Sequence, residues 1–154
     1  MIKLVKMSKK NYDIFYEKTK TSYAEDIAIS RGFSLKDSMV SASEQMNELL
    51  SAGIETSDNN FYDIICNNER IGWLWIALKE QFNIKTIFIY DIFIEENCRG
   101  KGRGRMALEK LEDVAKKINI NRIGLHVFRH SQNAFKLYKK MGYMEKGISM
   151  RKDL

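Results

Sequence analysis

The sequence predicts a mixed α/β fold, in which a central, mostly antiparallel sheet of about six to seven strands is flanked by about four helices. Two observations carry this prediction. Three β-type runs follow one another in the middle of the chain without a helix between them, which favours antiparallel neighbours. Helical and β-type patterns alternate only in the last third, so the order differs from a regular βαβ repeat. Of the 154 residues, 44% are hydrophobic and 30% are charged, as in a globular protein.

The first part of the chain predicts one strand and two helices. Residues Ile2–Lys6 alternate apolar and charged side chains, which is typical of a short strand. Residues 9–30 carry apolar side chains at helical spacing with an imperfect phase, and Gly32 interrupts the pattern. A second helix is predicted over residues 35–50, and it ends before Gly53.

The middle of the chain predicts three strands, over residues 61–66, 70–78 and Ile84–Ile94. Asn67 and Asn68 tolerate a tight turn, so the first two strands form a predicted hairpin. The third strand contains an almost continuous run of β-branched and aromatic side chains, which indicates burial on both faces. Asp91 is the only charged residue in this run, IFIYDIFI.

A turn rich in glycine and arginine follows the third strand and leads into a helix predicted over residues 103–118. The turn consists of Arg99, Gly100, Lys101, Gly102, Arg103 and Gly104, and we call it the glycine turn. Glycine lets backbone N–H groups approach an anion closely, and the first amides of a helix lack an intrahelical partner. The helix dipole and the basic side chains add positive potential at the same place. We therefore expect the glycine turn to bind phosphate, and a pyrophosphate suits it best.

The last third of the chain predicts a strand, a helix and a closing β segment. The strand covers residues 122–128, and the helix covers residues 131–141 and stops at Gly142. Residues 143–152 are predicted to form one or two further strands. The chain contains no proline and no repeat or linker-like stretch, so we expect a single domain over residues 1–154.

Composition limits the class of protein. No stretch approaches the roughly 20 apolar residues of a membrane span, and the first residues lack a signal-peptide core, so a cytoplasmic location and no membrane partner are expected. Cys66 and Cys98 fit no metal-binding spacing, so we expect reduced thiols and no metal. The net charge is +6, and it is unevenly distributed along the chain. Residues 99–140 contain twelve basic and three acidic residues. An anionic partner is expected, either a polyphosphate cofactor, which the glycines favour, or nucleic acid.

Two other phosphate-binding folds fit the glycine turn less well. Gly102-x-Gly104-x-x-Ala107 satisfies a dinucleotide-binding fingerprint. That fold needs an acid about 20 residues later to hold the ribose, and no Asp or Glu lies between Val114 and Met144. A Walker phosphate loop needs a Gly-Lys-Ser or Gly-Lys-Thr sequence, which is absent.

Two sequence blocks together resemble the GNAT superfamily of N-acetyltransferases. The first, Arg99-x-x-Gly102-x-Gly104 after a strand, resembles the acetyl-coenzyme A signature of that superfamily. The second block consists of Leu125-x-Val127, Asn133-Ala134, Leu137-Tyr138 and Gly142-Tyr143. The resemblance covers residues 60–153 well and implies the GNAT fold in a small bacterial single-domain member. It also implies an enzyme that transfers acetyl from acetyl-coenzyme A to a primary amine directly, within a ternary complex.

The resemblance also implies roles for individual residues. The backbone amides of the glycine turn bind the pyrophosphate of the cofactor. The backbone of Ile92, Phe93 and Ile94 pairs with the pantetheine arm as an additional strand would. Asn133 contacts the same arm. Tyr138 is the acid that protonates the departing thiolate.

Asp91 is the candidate general base, on the strength of its surroundings in the sequence. A carboxylate inside an apolar strand is costly unless it is used or paired. A base is useful because a lysine-type amine has a pKa of about 10.4 and must lose a proton before it attacks. A structural ion pair would explain Asp91 equally well. His126 can titrate near neutral pH but is expected to serve as a strand residue.

The acceptor and two rival functions stay open. The resemblance to the GNAT superfamily implies that residues 12–57 line the acceptor side. There Glu25, Asp26, Glu44 and Glu48 would either favour a cationic amine or be ordinary solvated charges. The acceptor classes are protein N-termini, lysines, polyamines and other small-molecule amines, and the protein could be a homodimer. The rivals are a non-catalytic sensor that binds coenzyme A and a basic module that binds nucleic acid.

Overall fold

The computed structural model describes residues 1–154 and contains four helices and one five-stranded sheet. The strands are β1 (Ile2–Lys6), β2 (Asn59–Cys66), β3 (Glu69–Gln81), β4 (Ile84–Ile94) and β5 (Ile123–Leu125). The helices are α1 (Lys9–Arg31), α2 (Leu35–Leu49), α3 (Arg103–Lys117) and α4 (Gln132–Lys140). Short 3₁₀ turns at Gly53–Glu55 and Glu96–Cys98 precede β2 and the glycine turn. The predicted mixed α/β class is confirmed.

The sheet has the strand order β1-β2-β3-β4-β5. The first four strands are antiparallel neighbours, whereas β4 and β5 are parallel. A parallel pair requires a crossover connection, and α3 supplies it. The predicted hairpin between β2 and β3 turns at Asn67 and Asn68, both in the left-handed backbone region that asparagine tolerates.

Helices cover both faces of the sheet. On one face, Tyr12 and Phe15 of α1 pack against Phe61, Trp73 and Trp75 of the sheet. On the other face, the apolar side chains of α3 and α4 pack against the alternate residues of β2, β3 and β4. The central strands are therefore buried on both sides, as the continuous apolar run predicted. None of the four helices combines the length and the apolar character needed to cross a membrane.

The prediction of six to seven strands is wrong, because five strands form. Within residues 143–152, only residues 148–151 alternate apolar and polar side chains, and no backbone hydrogen bond joins the segment to a strand. Their apolar side chains, Met144, Ile148 and Met150, are exposed instead. The predicted strand over residues 122–128 is shortened to β5, since its neighbour β4 bends away after Ile89. A segment with a β-type sequence forms a strand only where a neighbouring strand has an edge available for backbone hydrogen bonds.

Gly72 lets β3 and β4 approach closely. A Cβ atom at this position would lie 1.9 Å from the carbonyl oxygen of Phe93, so the two strands would have to separate. We expect Gly72→Ala to lower the free energy of unfolding by about 3 kcal/mol, measured by urea denaturation. Gly147→Ala is the control, because no heavy atom lies within 4 Å of that Cβ position. Equal stability of the two variants would contradict this packing.

Candidate active site

The candidate site begins where β4 and β5 separate. β4 pairs with β3 over its whole length, but it pairs with β5 only from Ile87 to Ile89. The register between β3 and β4 shifts by one residue at Tyr90, which makes Tyr90 the extra residue of a β-bulge. A bulge bends its strand and increases the local twist. Beyond it, one edge of β4 faces the space between the two strands without a strand partner, and we call residues 92–94 the free edge.

The free edge contains the three residues that the resemblance assigns to pantetheine. Ile92, Phe93 and Ile94 are half-buried, and their other edge pairs with β3. Backbone groups of a strand point alternately to its two sides, so some of those in the free edge have no ladder partner. A ligand with amide groups can bond to them without any polar side chain.

The glycine turn lies next to the free edge and ends in α3. Gly102 is the N-cap residue of α3 with φ 69°, and no side chain caps the helix. The left-handed conformation favours glycine, and the first helical amides stay available. No heavy atom lies within 4 Å of a Cβ position at Gly100 or Gly102, so this space is open to a ligand. Gly104 differs, because its Cβ position is 3.6 Å from Leu137 of α4.

Three basic side chains of this region are engaged in the local structure. The Nε of Arg99 donates to the Ile94 carbonyl at 2.7 Å, so it ties the glycine turn to the end of the free edge. Arg103 donates to the carbonyl of Cys98 at 3.4 Å. Arg105 forms an ion pair with Glu109 at 3.0 Å. These side chains shape the turn and still contribute positive potential to it.

Asp91 lies one residue beyond the bulge and faces α1. Its Oδ2 accepts hydrogen bonds from Trp73 Nε1 at 2.6 Å and from Thr19 Oγ1 at 3.2 Å. No lysine, arginine or histidine nitrogen forms an ion pair with it. The ion-pair explanation of Asp91 is therefore wrong, and two neutral donors hold the carboxylate.

The surroundings of Asp91 raise the pKa of its carboxyl. Burial raises the pKa of the Asp91 carboxyl above its ordinary value, hydrogen bonds from Trp73 and Thr19 lower this pKa, and the charge of Asp26 raises it. The net direction is upward, because desolvation of the ionised form is the largest of these effects. Asp91 therefore binds a proton more readily than an ordinary aspartate does.

Tyr138 lies on α4 with 9% of its surface exposed. Its ring packs edge-on against Tyr143, with the centroids 5.5 Å apart. Burial, the negative charge of Asp91 and Tyr143 together raise the pKa of Tyr138 to about 12. The hydroxyl is therefore protonated at neutral pH and can donate a hydrogen bond. The charge of Asp91 is thus a secondary cause of this raised pKa, after burial.

The remaining candidates are distributed over both sides of the site. Asn133 is exposed in the first turn of α4, close in sequence to Tyr138. His126 contacts the ring of Phe128 edge-on, at 5.0 Å between centroids, and has no other assigned contact. It is exposed and lies one residue beyond the end of β5, so the prediction of a strand residue at this position is wrong.

The acidic residues of the acceptor side differ in their surroundings. Asp26 is half-buried on α1, 2.7 Å from Nε2 of His130, and its charge acts on Asp91. The other three acids are exposed to solvent, namely Glu25, Glu44 and Glu48. Only Asp26 is therefore connected with the candidate site.

Sequence reasoning missed Thr19 and Trp73 as partners of Asp91. Tyr12, Phe15, Thr19 and Asp26 fall on one face of α1 at helical spacing, and Thr19 is the polar member of its buried part. A polar residue in a buried stripe was the available signal for Thr19. The partner itself could not be predicted, because 72 residues separate Thr19 from Asp91.

Comparison with known proteins agrees with this geometry. A family model described as "Acetyltransferase (GNAT) family" matches residues 36–143, which is more than two thirds of the chain. The chain belongs to the GNAT acetyltransferase family. The GNAT membership predicted from the two sequence blocks is therefore confirmed.

Relatives of this GNAT protein span its whole length. It is 32% identical over 154 residues to the uncharacterised N-acetyltransferase YycN of Bacillus subtilis (strain 168), covering 99% of each chain. It is 31% identical over 149 residues to the uncharacterised N-acetyltransferase YdgE of the same strain, covering 96% of this chain and 95% of YdgE. The crystal structure of YycN superposes with a TM-score of 0.95 at 31% identity, over 100% of this chain and 99% of that chain.

A more distant GNAT structure has the same fold. It is an acetyltransferase predicted in Clostridium acetobutylicum, whose crystal structure was determined with acetyl-coenzyme A. Its TM-score is 0.57 at 18% identity, over 99% of this chain and 96% of that one. Membership in the GNAT family supports acetyl transfer to an acceptor in general, and the family uses acetyl-coenzyme A.

Proposed function

We propose that this GNAT protein transfers acetyl from acetyl-coenzyme A to a primary amine by direct transfer within a ternary complex. One observation carries the proposal. The N-terminus of α3 is uncapped and open to a ligand at the glycine turn, and β5 leaves the free edge of β4 beside it without a strand partner. Asp91, a carboxylate held by two neutral donors, directly precedes this edge. Acetyl transfer to an amine benefits from a base that accepts the amine proton and from a donor toward the departing sulfur.

The free edge and the glycine turn would hold the cofactor together. The amides of pantetheine can bond to the unpaired backbone groups of the free edge, as an added strand does. The pyrophosphate would meet the first amides of α3 and the positive end of its dipole. Arg99 joins the two parts, since its side chain reaches from the glycine turn to Ile94. Asn133 would contact the cofactor arm from α4.

The proposed chemistry needs one proton acceptor and one hydrogen-bond donor. The amine gives a proton to Asp91, directly or through water, and its lone pair attacks the thioester carbonyl. The N–C bond forms, the attacking nitrogen loses its second proton, the C–S bond of the tetrahedral intermediate breaks, and the sulfur leaves as a thiolate beside Tyr138. Backbone N–H groups of the free edge would stabilise the oxyanion. Protonation of Asp91 removes the charge that raises the pKa of Tyr138, so the first step improves the donor used in the last step.

The pKa of Tyr138 determines how far its proton moves. At a pKa of about 12, Tyr138 is a weaker acid than a thiol, whose pKa is about 8.5. Tyr138 therefore donates a hydrogen bond to the developing thiolate, and the thiolate takes its proton from the acylated nitrogen or from solvent.

Tyr138→Phe tests this role because it keeps the ring and removes only the hydroxyl. We expect kcat to fall by about tenfold to a hundredfold, while the Kd of coenzyme A changes by less than about twofold. Steady-state kinetics and titration calorimetry measure the two quantities. Tyr143→Phe is the matched control, because its hydroxyl is also buried but has no hydrogen-bond partner, and it should retain activity. Equal turnover by Tyr138→Phe and the unmodified protein would remove Tyr138 from the mechanism.

The function itself is tested by thiol release from acetyl-coenzyme A in the presence of a panel of amines. The panel contains a peptide with a free N-terminus, a peptide with an internal lysine, a polyamine and a small monoamine. We expect thiol release to match the formation of acetylated amine for at least one of these classes. Binding of coenzyme A without turnover would favour the sensor. Binding of nucleic acid that weakens steeply with salt, without discrimination for coenzyme A, would favour the basic module.

A further inference from the structure

We infer that Trp73 and Thr19 are positioning residues, which fix the Asp91 carboxylate for deprotonation of the amine. The inference rests on the proposed function, because both residues act only through Asp91. It assigns a role in catalysis to two side chains that would otherwise count as part of the core.

The two hydrogen bonds end on the same oxygen of Asp91. Oδ2 accepts from Trp73 Nε1 and from Thr19 Oγ1, whereas Oδ1 accepts no hydrogen bond from the chain. Oδ1 is not fully enclosed by protein atoms, so it retains contact with solvent. One oxygen is thus fixed, and the other is free to receive a proton.

The indole of Trp73 is held on several sides. The residue is 2% exposed, and its ring stacks on Phe93 at 4.2 Å between centroids. Phe15 of α1 meets the ring edge-on at 5.9 Å, and the guanidinium of Arg70 lies 5.5 Å from the ring centroid. Since Phe93 belongs to the free edge, the same ring connects the base with the strand proposed to receive the thioester.

Thr19 makes an unusual use of its hydroxyl for a helical threonine. A threonine inside a helix often donates to the carbonyl four residues earlier, and Thr21 does so to Glu17 at 3.0 Å. Thr19 is 8% exposed and donates across to Asp91 instead. Helix α1, on the acceptor side, therefore contributes directly to the position of the base.

The two hydrogen bonds also lower the pKa of the Asp91 carboxyl. Hydrogen bonds to a carboxylate favour its ionised form, so loss of either donor should raise the pKa of Asp91. The other titratable groups that act on this carboxyl are Asp26 of α1 and Tyr138 of α4. Lys18 and Arg70 flank the indole of Trp73, but neither forms an ion pair with Asp91.

The test is a ¹³C NMR titration of the Asp91 carboxyl in the free protein, which needs no turnover. Trp73→Phe and Thr19→Val each remove one donor and conserve most of the side-chain volume. Trp75→Phe is the control for the first variant, since the Trp75 indole donates to Asn59 at 2.8 Å, away from Asp91. Thr21→Val is the control for the second variant.

We expect the titration midpoint of Asp91 to move to higher pH in both donor variants and to stay unchanged in both controls. At neutral pH, kcat should fall by roughly tenfold in the donor variants. In an Asp91→Asn background, Trp73→Phe should cause no further loss of kcat, because it acts through Asp91. Thr19→Val answers the question alone if Trp73→Phe does not fold.

An unchanged midpoint in the donor variants would overturn the inference alone. A loss of kcat by Trp73→Phe that is as large in the Asp91→Asn background would do the same, since it would show a merely structural effect. Wild-type turnover of Asp91→Asn would instead overturn the proposed base, and the inference with it.

Discussion

Asp91→Asn is expected to lower kcat/KM for an amine acceptor by about a hundredfold to a thousandfold at neutral pH. Asparagine keeps an oxygen that can accept from Trp73 and Thr19, but it cannot act as a base. The loss should shrink at higher pH, where more of the amine is already neutral. Thiol release measured across a pH series, with saturating acetyl-coenzyme A, gives the profile.

The same variant should keep or gain thermal stability. Burial raises the pKa of Asp91 above its ordinary value of 3.8, so the folded protein binds this proton more tightly than the unfolded chain does. The ionised carboxylate therefore opposes folding. This contribution is absent below the unfolded pKa, grows as pH rises toward the folded pKa and is complete above it. A lower Tm at neutral pH with an unchanged pH profile of activity would make Asp91 a structural residue.

Asp63→Asn is the matched control for a buried aspartate. Asp63 is 6% exposed, accepts from Arg70 Nε at 2.6 Å and from Asn11 at 2.8 Å, and therefore has the ion pair that Asp91 lacks. Breaking this pair should lower the free energy of unfolding by about 3 kcal/mol. The pH profile of acetyl transfer should keep its shape, because Asp63 has no proposed role in proton transfer.

Gly102→Val is expected to weaken coenzyme A binding by about a hundredfold, which corresponds to about 2.7 kcal/mol. A β-branched residue is strained at φ 69°, and its side chain would occupy the open space in front of the first amides of α3. Titration calorimetry with coenzyme A measures the change. Gly104→Ala is the control and should stay within about threefold, since its methyl group would make an ordinary contact with Leu137. Unchanged affinity in a folded Gly102→Val protein would contradict the phosphate-binding role of the glycine turn.

Local sequence features predicted the parts of the fold that depend on neighbouring residues. The third middle strand has the predicted bounds, Ile84–Ile94, and α3 begins at Arg103 as predicted. Both follow from patterns that a few consecutive residues carry, namely an apolar run and a glycine-rich start of a helix. The glycine turn and the single charged residue of the apolar run, Asp91, could be identified from the sequence for the same reason.

Features that depend on distant contacts could not be predicted. The bulge at Tyr90 lies inside an almost continuous apolar run, and only the register against β3 reveals it. The hydrogen bond from Thr19 to Asp91 joins residues from opposite parts of the chain. The closing strands were predicted wrongly for a related reason, because the apolar residues of 143–152 do not show whether a strand edge is available for pairing.

The most direct test of cofactor binding at the split between β4 and β5 is an amide ¹H–¹⁵N NMR titration with coenzyme A. Gly100, Gly102 and Gly104 report on the glycine turn, while Gly32 and Gly53 at the ends of α1 and α2 serve as internal controls. The account predicts saturable shifts at the three turn glycines and along the free edge, with little change at the two controls. Saturable shifts confined to Gly32, Gly53 and their surroundings, with the turn and the free edge unchanged, would contradict it.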